Sequence, residues 1–267
     1  MRHPAVLWTL AVIITLASAV WQRVTGPTYA VRGTVTVGQA LVRFKLERSH
    51  GGPDDQEIRI VVPDTAVTGT LRFRRYPTDD PWQMIPMTRA GDTLVAALPH
   101  QPPAGKLSYE VHLSSGGVDT SLTDRPVVTR FKGSVPAFVL APHILAMFLT
   151  LLFSARAGLG ALVHDSATRR HAYASAVTIL IGGFVLGPLT LHYAFGVWWE
   201  GIPLGFDLTD NKTLIAGLAW LWAVYRMRGG RPARDAILTA AVVTLVVFAI
   251  PHSMLGSQID WKTVGRG

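Results

Sequence analysis

Apolar residues follow two different patterns along the chain. Short runs that alternate with polar positions fill residues 28–130, whereas the rest of the sequence contains long, nearly continuous apolar segments. These continuous segments lie at residues 5–21, 136–155, 172–193, 213–225 and 236–250. A helix needs about 20 apolar residues to cross a bilayer, and the last two segments approach this length with their flanks. The pattern predicts a mixed fold: a polytopic helical membrane protein with about five transmembrane helices and a separate β domain.

The alternating region is typical of half-buried strands. In the run LSYEVHL, odd-numbered positions 107–113 are apolar and the even-numbered ones are polar, which is the period of a strand. About seven such runs are separated by turn clusters such as HGGPDD, YPTDDP and HQPPAG. This spacing predicts an antiparallel β-sandwich.

One strand and its preceding loop carry a family resemblance. Leu98-Pro99, followed by Leu107-Ser108-Tyr109-Glu110-Val111, resembles the corner before strand F in fibronectin type III and immunoglobulin-like domains. The resemblance implies an immunoglobulin-like sandwich in which Tyr109 ties the loop back. It implies no activity, because this architecture hosts many functions.

The N-terminal apolar segment has two interpretations. It is either a signal peptide cleaved after the A-x-A-like Ala17-Ser18-Ala19 or an uncleaved signal anchor with Trp21 at the interface, and the length favours the anchor. Both export the β domain. The predicted domains are therefore an anchor at 1–27, an exported β-sandwich at 28–134, and a four-helix transmembrane bundle at 135–267. The bundle includes an outer loop at 194–212 and a short exported tail.

Composition and charge set the orientation. The chain is 49% apolar and 16% charged, with a formal net charge of +8, whereas soluble domains carry about 25% charged residues. Arginines are concentrated in the connections HDSATRRH and RMRGGRPAR, while charges in the β domain are nearly balanced. This positive-inside pattern makes both connections cytoplasmic. We expect a multi-pass protein of the bacterial cytoplasmic (inner) membrane, with the β domain and the C-terminus on the periplasmic side. We expect membrane lipid and no nucleic acid as partners.

Several classes of chemistry have no sequence support. The chain has no cysteine, which excludes disulfides, thiolate metal sites and C-x-x-C-H haem attachment. It contains no phosphate-binding loop, H-E-x-x-H, G-x-S-x-G or dinucleotide glycine motif. No reaction is indicated, and the sequence favours a protein without enzymatic activity.

Three histidines are the candidate cofactor ligands. His143, His192 and His252 lie in the outer portions of three different apolar segments, and each follows a proline by one to four positions. Ionisable residues at membrane depth are functional candidates. Three imidazoles could bind a divalent metal with one open position, or two could be axial ligands of a b-type haem. The alternative is that these histidines are structural or interfacial.

The loop between the third and fourth apolar segments adds carboxylates to the same face. Glu200 and Asp207 are candidates to complete a metal site or to orient a ligand histidine, and an ion pair with Lys212 is the alternative. Asp210, or Thr209, is expected to cap the following helix. Trp198 and Trp199 are expected to be interfacial anchors.

These features lead to one main hypothesis and two alternatives. The main hypothesis is an accessory or partner-binding membrane subunit of an envelope complex, such as electron-transfer machinery, whose β-sandwich docks an exported partner. Its partners would be other membrane or periplasmic subunits. The first alternative is a metal- or haem-binding redox protein that uses the three histidines. The second is a membrane metalloenzyme with Glu200 or Asp207 as general base.

Overall fold

The computed structural model describes residues 4–251, 258, 259 and 261, and these form two compact units. The helical unit contains residues 4–27 and 135–251. The β unit contains residues 28–134 together with 258, 259 and 261. The chain is therefore of a mixed helix and sheet class, as the sequence predicts. His252 lies outside the described residues.

The helical unit contains six α-helices. They are α1 (Pro4–Thr25), α2 (Ala137–Leu162), α3 (Thr168–Ile179), α4 (Gly187–Phe195), α5 (Leu208–Arg226) and α6 (Arg234–Ala249). A π-helical stretch, Leu180–Leu186, joins α3 to α4 without a break. A short 3₁₀ turn, Arg228–Gly230, precedes α6.

Three helical segments in the described residues are long and apolar enough to cross a membrane. They are Pro4–Thr25, Ala137–Leu162 and the continuous helix Thr168–Phe195. The remaining two helices, α5 and α6, have 19 and 16 residues. A membrane protein is compatible with these lengths and compositions.

Small side chains bring the helices of this unit close together. The buried cluster consists mainly of alanines from α2, α3, α5 and α6, and its one aromatic side chain among the described residues is Trp220. Trp220 is fully buried, and its indole N–H donates to Thr244 Oγ1 at 2.8 Å. A buried indole requires such a partner, because an unpaired donor in an apolar interior costs free energy. This hydrogen bond fixes α5 against α6.

The β unit has eleven short strands. They are β1 (Val31–Val37), β2 (Ala40–Leu46), β3 (Ser49–Gly51), β4 (Gln56–Val61), β5 (Thr68–Arg75), β6 (Gln83–Pro86), β7 (Thr88–Ala90), β8 (Thr93–Leu98), β9 (Lys106–Ser115), β10 (Val118–Ser121) and β11 (Val127–Lys132). In β4, β5 and β8 the burial alternates residue by residue, as period-two patterning predicts.

The strands form three sheets. β1 and β2 form a hairpin, and β4-β8-β7 form a three-stranded sheet. The largest sheet has the order β3-β11-β9-β5-β6, with β10 pairing to β9. All pairs are antiparallel except β3 with β11. One buried apolar cluster draws side chains from all three sheets, which makes them a single packing unit.

Tyr109 lies in this core and differs from the expectation raised by the family resemblance. Its hydroxyl donates to the carbonyl oxygen of Glu47 at 2.7 Å, 62 positions away, whereas the resemblance implies a bond to the loop that precedes it. Burial raises the pKa of the Tyr109 hydroxyl well above its ordinary value, so the group remains a donor. Tyr109 therefore ties β9 to the end of β2.

Candidate functional site

The predicted cofactor site is organised around the helix Thr168–Phe195 and the loop that follows it. His143, in the second turn of α2, contacts the π-helical stretch: its Nδ1–H donates to the carbonyl oxygen of Gly182 at 2.9 Å. Pro188 lies just beyond this stretch and has no N–H to donate, so the local helix already lacks one internal hydrogen bond. The His143 imidazole thus supplies a donor at an irregular part of the neighbouring helix.

His192 has a different environment. Its ring stacks on Trp198 with centroids 4.2 Å apart and an angle of 9° between the planes. The stack forms because α4 ends at Phe195 and the next residue, Gly196, has a φ of 79° that turns the chain back towards the helix. Nδ1 of His192 is buried and has no hydrogen-bond partner among the described residues. Nδ1 of His171, on α3, is also buried without a partner among these residues, so His192 is the member of the predicted site with such a nitrogen rather than the single histidine that has one.

The two residues predicted to supply carboxylates belong to the framework of the loop, Asp207 through its side chain and Glu200 through its backbone. Asp207 is the N-cap of α5, where its Oδ1 accepts from the amides of Thr209 at 2.7 Å and Asp210 at 3.1 Å. The expectation that Asp210 or Thr209 caps this helix is wrong. The cap falls two residues before Thr209 and three before Asp210, because α5 begins at Leu208. The amide of Asp207 in turn donates to the carbonyl oxygen of Glu200 at 2.9 Å, which closes the loop.

Polar side chains of α5 hold the rest of the loop. Asp210 Oδ2 accepts from the amide of Glu200 at 2.7 Å, and Asn211 Oδ1 accepts from the amide of Ile202 at 2.8 Å. The loop backbone is therefore braced by its following helix.

With its backbone fixed in this way, the loop exposes several apolar side chains on the surface. The exposed loop residues are Val197, Trp198, Ile202, Leu204 and Phe206, and Phe206 is 89% exposed. Trp199 instead stacks on Phe184 at 6.0 Å. Of the two tryptophans predicted to be interfacial, only Trp198 is strongly exposed.

Lys212 does not pair with the loop carboxylates in the described structure. The residue is 5% exposed, and its Nζ donates to the carbonyl oxygens of Ile250 at 2.6 Å and Pro251 at 3.4 Å. These carbonyls follow the last turn of α6, which attracts a cation because unpaired carbonyls and the helix dipole concentrate negative charge there. Sequence reasoning missed this role because the two partners are 38 positions apart.

The metal or haem site itself stays a prediction. Within residues 4–251, 258, 259 and 261, no three histidine, aspartate or glutamate side chains form a group that could hold a metal ion. The predicted set also includes His252, which is outside this range. Of the other members, His143 and His192 lie on neighbouring elements, and Asp207 is committed to a helix cap.

A second candidate site, which the sequence analysis did not single out, lies on the outer surface of the largest sheet in the β unit. We define the Arg–Trp face as Arg72, Arg74, Trp82 and Met84. The guanidinium carbons of Arg72 and Arg74 lie 5.6 Å and 4.8 Å from the centre of the Trp82 ring. Met84 is opposite Arg72 in the β5–β6 register and is strongly exposed. The sequence signal was present, because the run GTLRFRR places both arginines on one side of the strand.

Charged groups border the Arg–Trp face on β9 and β10. Arg72 Nη1 is 3.8 Å from Glu110 Oε2, and the His112 ring contacts both Glu110, at 3.3 Å, and Asp119, at 2.8 Å. The face therefore combines a cation–π cluster with an exposed thioether and an acidic border.

Comparisons with known proteins identify no relative. No family model, curated protein or solved structure matches this chain.

Proposed function

We propose that this protein is an accessory, partner-binding membrane subunit of an envelope complex, and that its β unit docks an exported partner. The observation that carries the proposal is the Arg–Trp face. Tryptophan, arginine and methionine are the residue types enriched in the buried centres of protein interfaces, and tryptophan and arginine are frequent hot spots. Here they are assembled on one sheet surface, where Met84 is exposed and Arg72, Arg74 and Trp82 are half-buried.

The position of β6 supports a docking surface at this edge. Among the described strands, β6 pairs only with β5, so it is the border of the largest sheet. Pro86 is its last residue and Pro81 lies two residues before its start, and proline at an edge strand opposes uncontrolled strand addition. The partner is therefore expected to bind through side chains of the Arg–Trp face rather than by adding a strand.

In the proposed architecture the largest sheet and the three-stranded sheet are the two layers of an immunoglobulin-like sandwich. Their shared core supports two layers. The different Tyr109 contact means that the family resemblance does not extend to the tyrosine corner.

In the proposed membrane arrangement α5 and α6 also cross the bilayer, giving five spans. Both helices contribute to the buried cluster shared with α2 and α3. Packing of α1 against α2 and α6 supports an uncleaved anchor. The arginine-rich connections HDSATRRH (164–171) and RMRGGRPAR (226–234) would lie in the cytoplasm, and the β unit would lie in the periplasm of a bacterial cell.

Site-specific photo-crosslinking in intact cells tests the docking surface. A crosslinker at Met84 is expected to give one discrete product that contains a second protein. A crosslinker at Val61, which is similarly exposed but on β4, is expected to give none. Trp82→Ala should weaken the Met84 product, since truncation of a hot-spot side chain costs about 2 kcal/mol or more.

The mass of the gently extracted protein gives the second measurement. The chain alone has a mass of 29.0 kDa, and the proposal requires a larger assembly. A free monomer, together with no discrete product from Met84, would show that the proposal is wrong.

A redox protein that binds a metal or b-type haem through His143, His192 and His252 is the second candidate. The buried, unpartnered Nδ1 of His192 favours it. An absorption spectrum and elemental analysis test this candidate: a Soret band or stoichiometric metal should disappear in a His143→Ala, His192→Ala, His252→Ala triple variant. The metalloenzyme alternative has less support, because Asp207 caps α5.

A further inference from the structure

The connection between α2 and α3 and the connection between α5 and α6 line an open surface cavity of about 240 Å³. We define the arginine cavity by six of its lining residues: His164, Ser166, Thr168, Arg169, Arg231 and Arg234. All of them belong to the helical unit. Pockets for drug-sized ligands are commonly about 300 to 1,000 Å³. The arginine cavity is therefore sized for a small chemical group rather than for a large molecule.

The one carboxylate in the cavity wall does not balance these arginines. Asp165 Oδ2 accepts from Arg156 Nη2 at 2.5 Å, and its Oδ1 accepts from the amide of Ala167 at 3.1 Å. Its charge is thus paired with Arg156, which lies outside the cavity wall. Within the part of the chain that the structure describes, Arg169, Arg231 and Arg234 form no ion pair with any carboxylate.

Two of these guanidinium groups are held in fixed positions. Arg169 Nη2 donates to the carbonyl oxygen of Met227 at 2.5 Å, and Arg234 Nε donates to that of Ala161 at 2.9 Å. Each bond uses one side of a guanidinium fork, which has five N–H donors in a rigid plane. Arg231 is exposed at the mouth, and no hydrogen bond of its side chain is found in the described structure. The arginine cavity therefore contains guanidinium N–H groups that are fixed in position and can still donate hydrogen bonds to a ligand.

Backbone donors lie in the same wall. Ala233 is the N-cap residue of α6, and no side chain caps this helix. The first amides of a helix have no partner within the helix and favour negative charge. Together with the arginine forks, they match the oxygen atoms of a phosphate group.

The location favours a lipid as the source of this phosphate. The cavity lies between the ends of two segments that are apolar and long enough to cross a membrane, Ala137–Leu162 and Thr168–Phe195. Lipid headgroups lie at the ends of membrane-spanning helices, and basic pockets between such helices are suited to anionic headgroups. We propose that the arginine cavity binds the phosphate of an anionic phospholipid headgroup.

Thermal stabilisation of the purified full chain in neutral detergent tests this site. The probes are phosphatidylglycerol, zwitterionic phosphatidylcholine and oleate, which has negative charge but no phosphate. We expect saturable stabilisation by phosphatidylglycerol at lower concentration than by the other two. Arg231→Gln should weaken the apparent affinity about fivefold, as expected for one basic side chain near an anionic headgroup.

Arg170→Gln is the matched control, because Arg170 is exposed at the same end of α3 but is not in the cavity wall. It should leave the affinity for phosphatidylglycerol unchanged. Arg231 has no structural hydrogen bond from its side chain, so Arg231→Gln is expected to fold normally. An equal loss in both variants, or equal stabilisation by oleate, would overturn the proposal in favour of general surface attraction.

A final experiment distinguishes a lipid headgroup from a soluble phosphate compound as the ligand. Inorganic phosphate and glycerol 3-phosphate are added to the same detergent sample without lipid. The proposal predicts that neither stabilises the chain at the concentration where phosphatidylglycerol saturates. If either one does so with the same loss in Arg231→Gln, the cavity binds a soluble phosphate compound and the lipid assignment is wrong.

Discussion

At the scale of single residues, the most deeply buried charge in the helical unit needs its partner. Arg156 is 1% exposed, forms an ion pair with Asp165 and lies 5.6 Å from the Trp8 ring centre. A buried guanidinium without a carboxylate is costly because its hydration is lost and not replaced. Asp165 therefore has a larger structural role than its position in a short loop would indicate.

Asp165→Asn should lower the free energy of unfolding by about 3 kcal/mol, because it leaves a buried charge unpaired. Thermal or denaturant unfolding in detergent measures the effect. Asp235→Asn is the control: its partner is Arg226 and both side chains are largely exposed, so the expected loss is below about 1 kcal/mol. Equal effects of the two substitutions would contradict this account of Arg156.

The same ion pair predicts a pH dependence. The hydrogen bond from Arg156, followed by that from the Ala167 amide, holds the pKa of Asp165 below its ordinary value of 3.8. The folded state thus favours the ionised carboxylate, so its stabilisation is complete above the ordinary pKa and is lost as pH falls through the lower, folded value. The stability difference between the native chain and Asp165→Asn should be constant at neutral pH and should shrink at acidic pH. A difference that grows on acidification would refute the assignment.

At the scale of elements, close approach of helices depends on glycine at specific contacts. In the π-helical stretch, a Cβ added at Gly183 would lie 2.5 Å from Thr213 Cγ2 on α5. Thr213 is β-branched and its side-chain hydroxyl bonds to the carbonyl oxygen of Thr209, so the methyl group cannot easily move away. The Gly183 contact sets how near α5 can pack.

Gly183→Ala should destabilise the helical unit by about 1 to 3 kcal/mol through overpacking. The companion substitution Thr213→Ser removes Cγ2 and keeps the hydroxyl. Unfolding measurements on the double variant should recover most of the lost stability. If Thr213→Ser gives no recovery, the clash at this contact is not the cause.

The strands also show which structural features can be predicted from short stretches of sequence. Strand β9 contains the alternating run LSYEVHL, because period-two alternation is a property of neighbouring residues. Strand β11 was not predicted as a separate run: it follows Pro126 and pairs in parallel with β3, some 80 positions earlier in the chain. Such a pairing leaves no local pattern.

For the candidate sites, too, the sequence shows the residues but not the contacts that they make. The histidines could be found because they interrupt apolar segments, and the carboxylates of the outer loop because they cluster in sequence. Their contacts could not be found. The bond of Lys212 to Ile250 and the stack of His192 on Trp198 depend on where helices end and which ends meet. Helix ends are the least certain part of any interpretation of sequence.

At the scale of the whole molecule, the charge pattern predicts which regions lie on opposite sides of the membrane. Because the native chain has no cysteine, a single cysteine can report its own accessibility. Val118→Cys, in the β unit, should react with an impermeant maleimide in intact cells whose outer membrane has been permeabilised. Arg228→Cys, between α5 and α6, should react only after the cytoplasmic membrane is opened. If Arg228→Cys reacts in intact cells and Val118→Cys reacts only after the cytoplasmic membrane is opened, the proposed topology is wrong.

The carbonyl oxygens at the end of α6 are bound by side chains that are distant in the chain. Trp21 Nε1 and Gln22 Nε2, on α1, donate to Ala249 and Phe248, and Lys212, on α5, donates to Ile250. Trp21 and Ala249 are 228 positions apart. These bonds cannot form during synthesis until α6 has left the ribosome. The polar contacts that join α1 to the end of α6 therefore form only after nearly the whole helical unit has been synthesised.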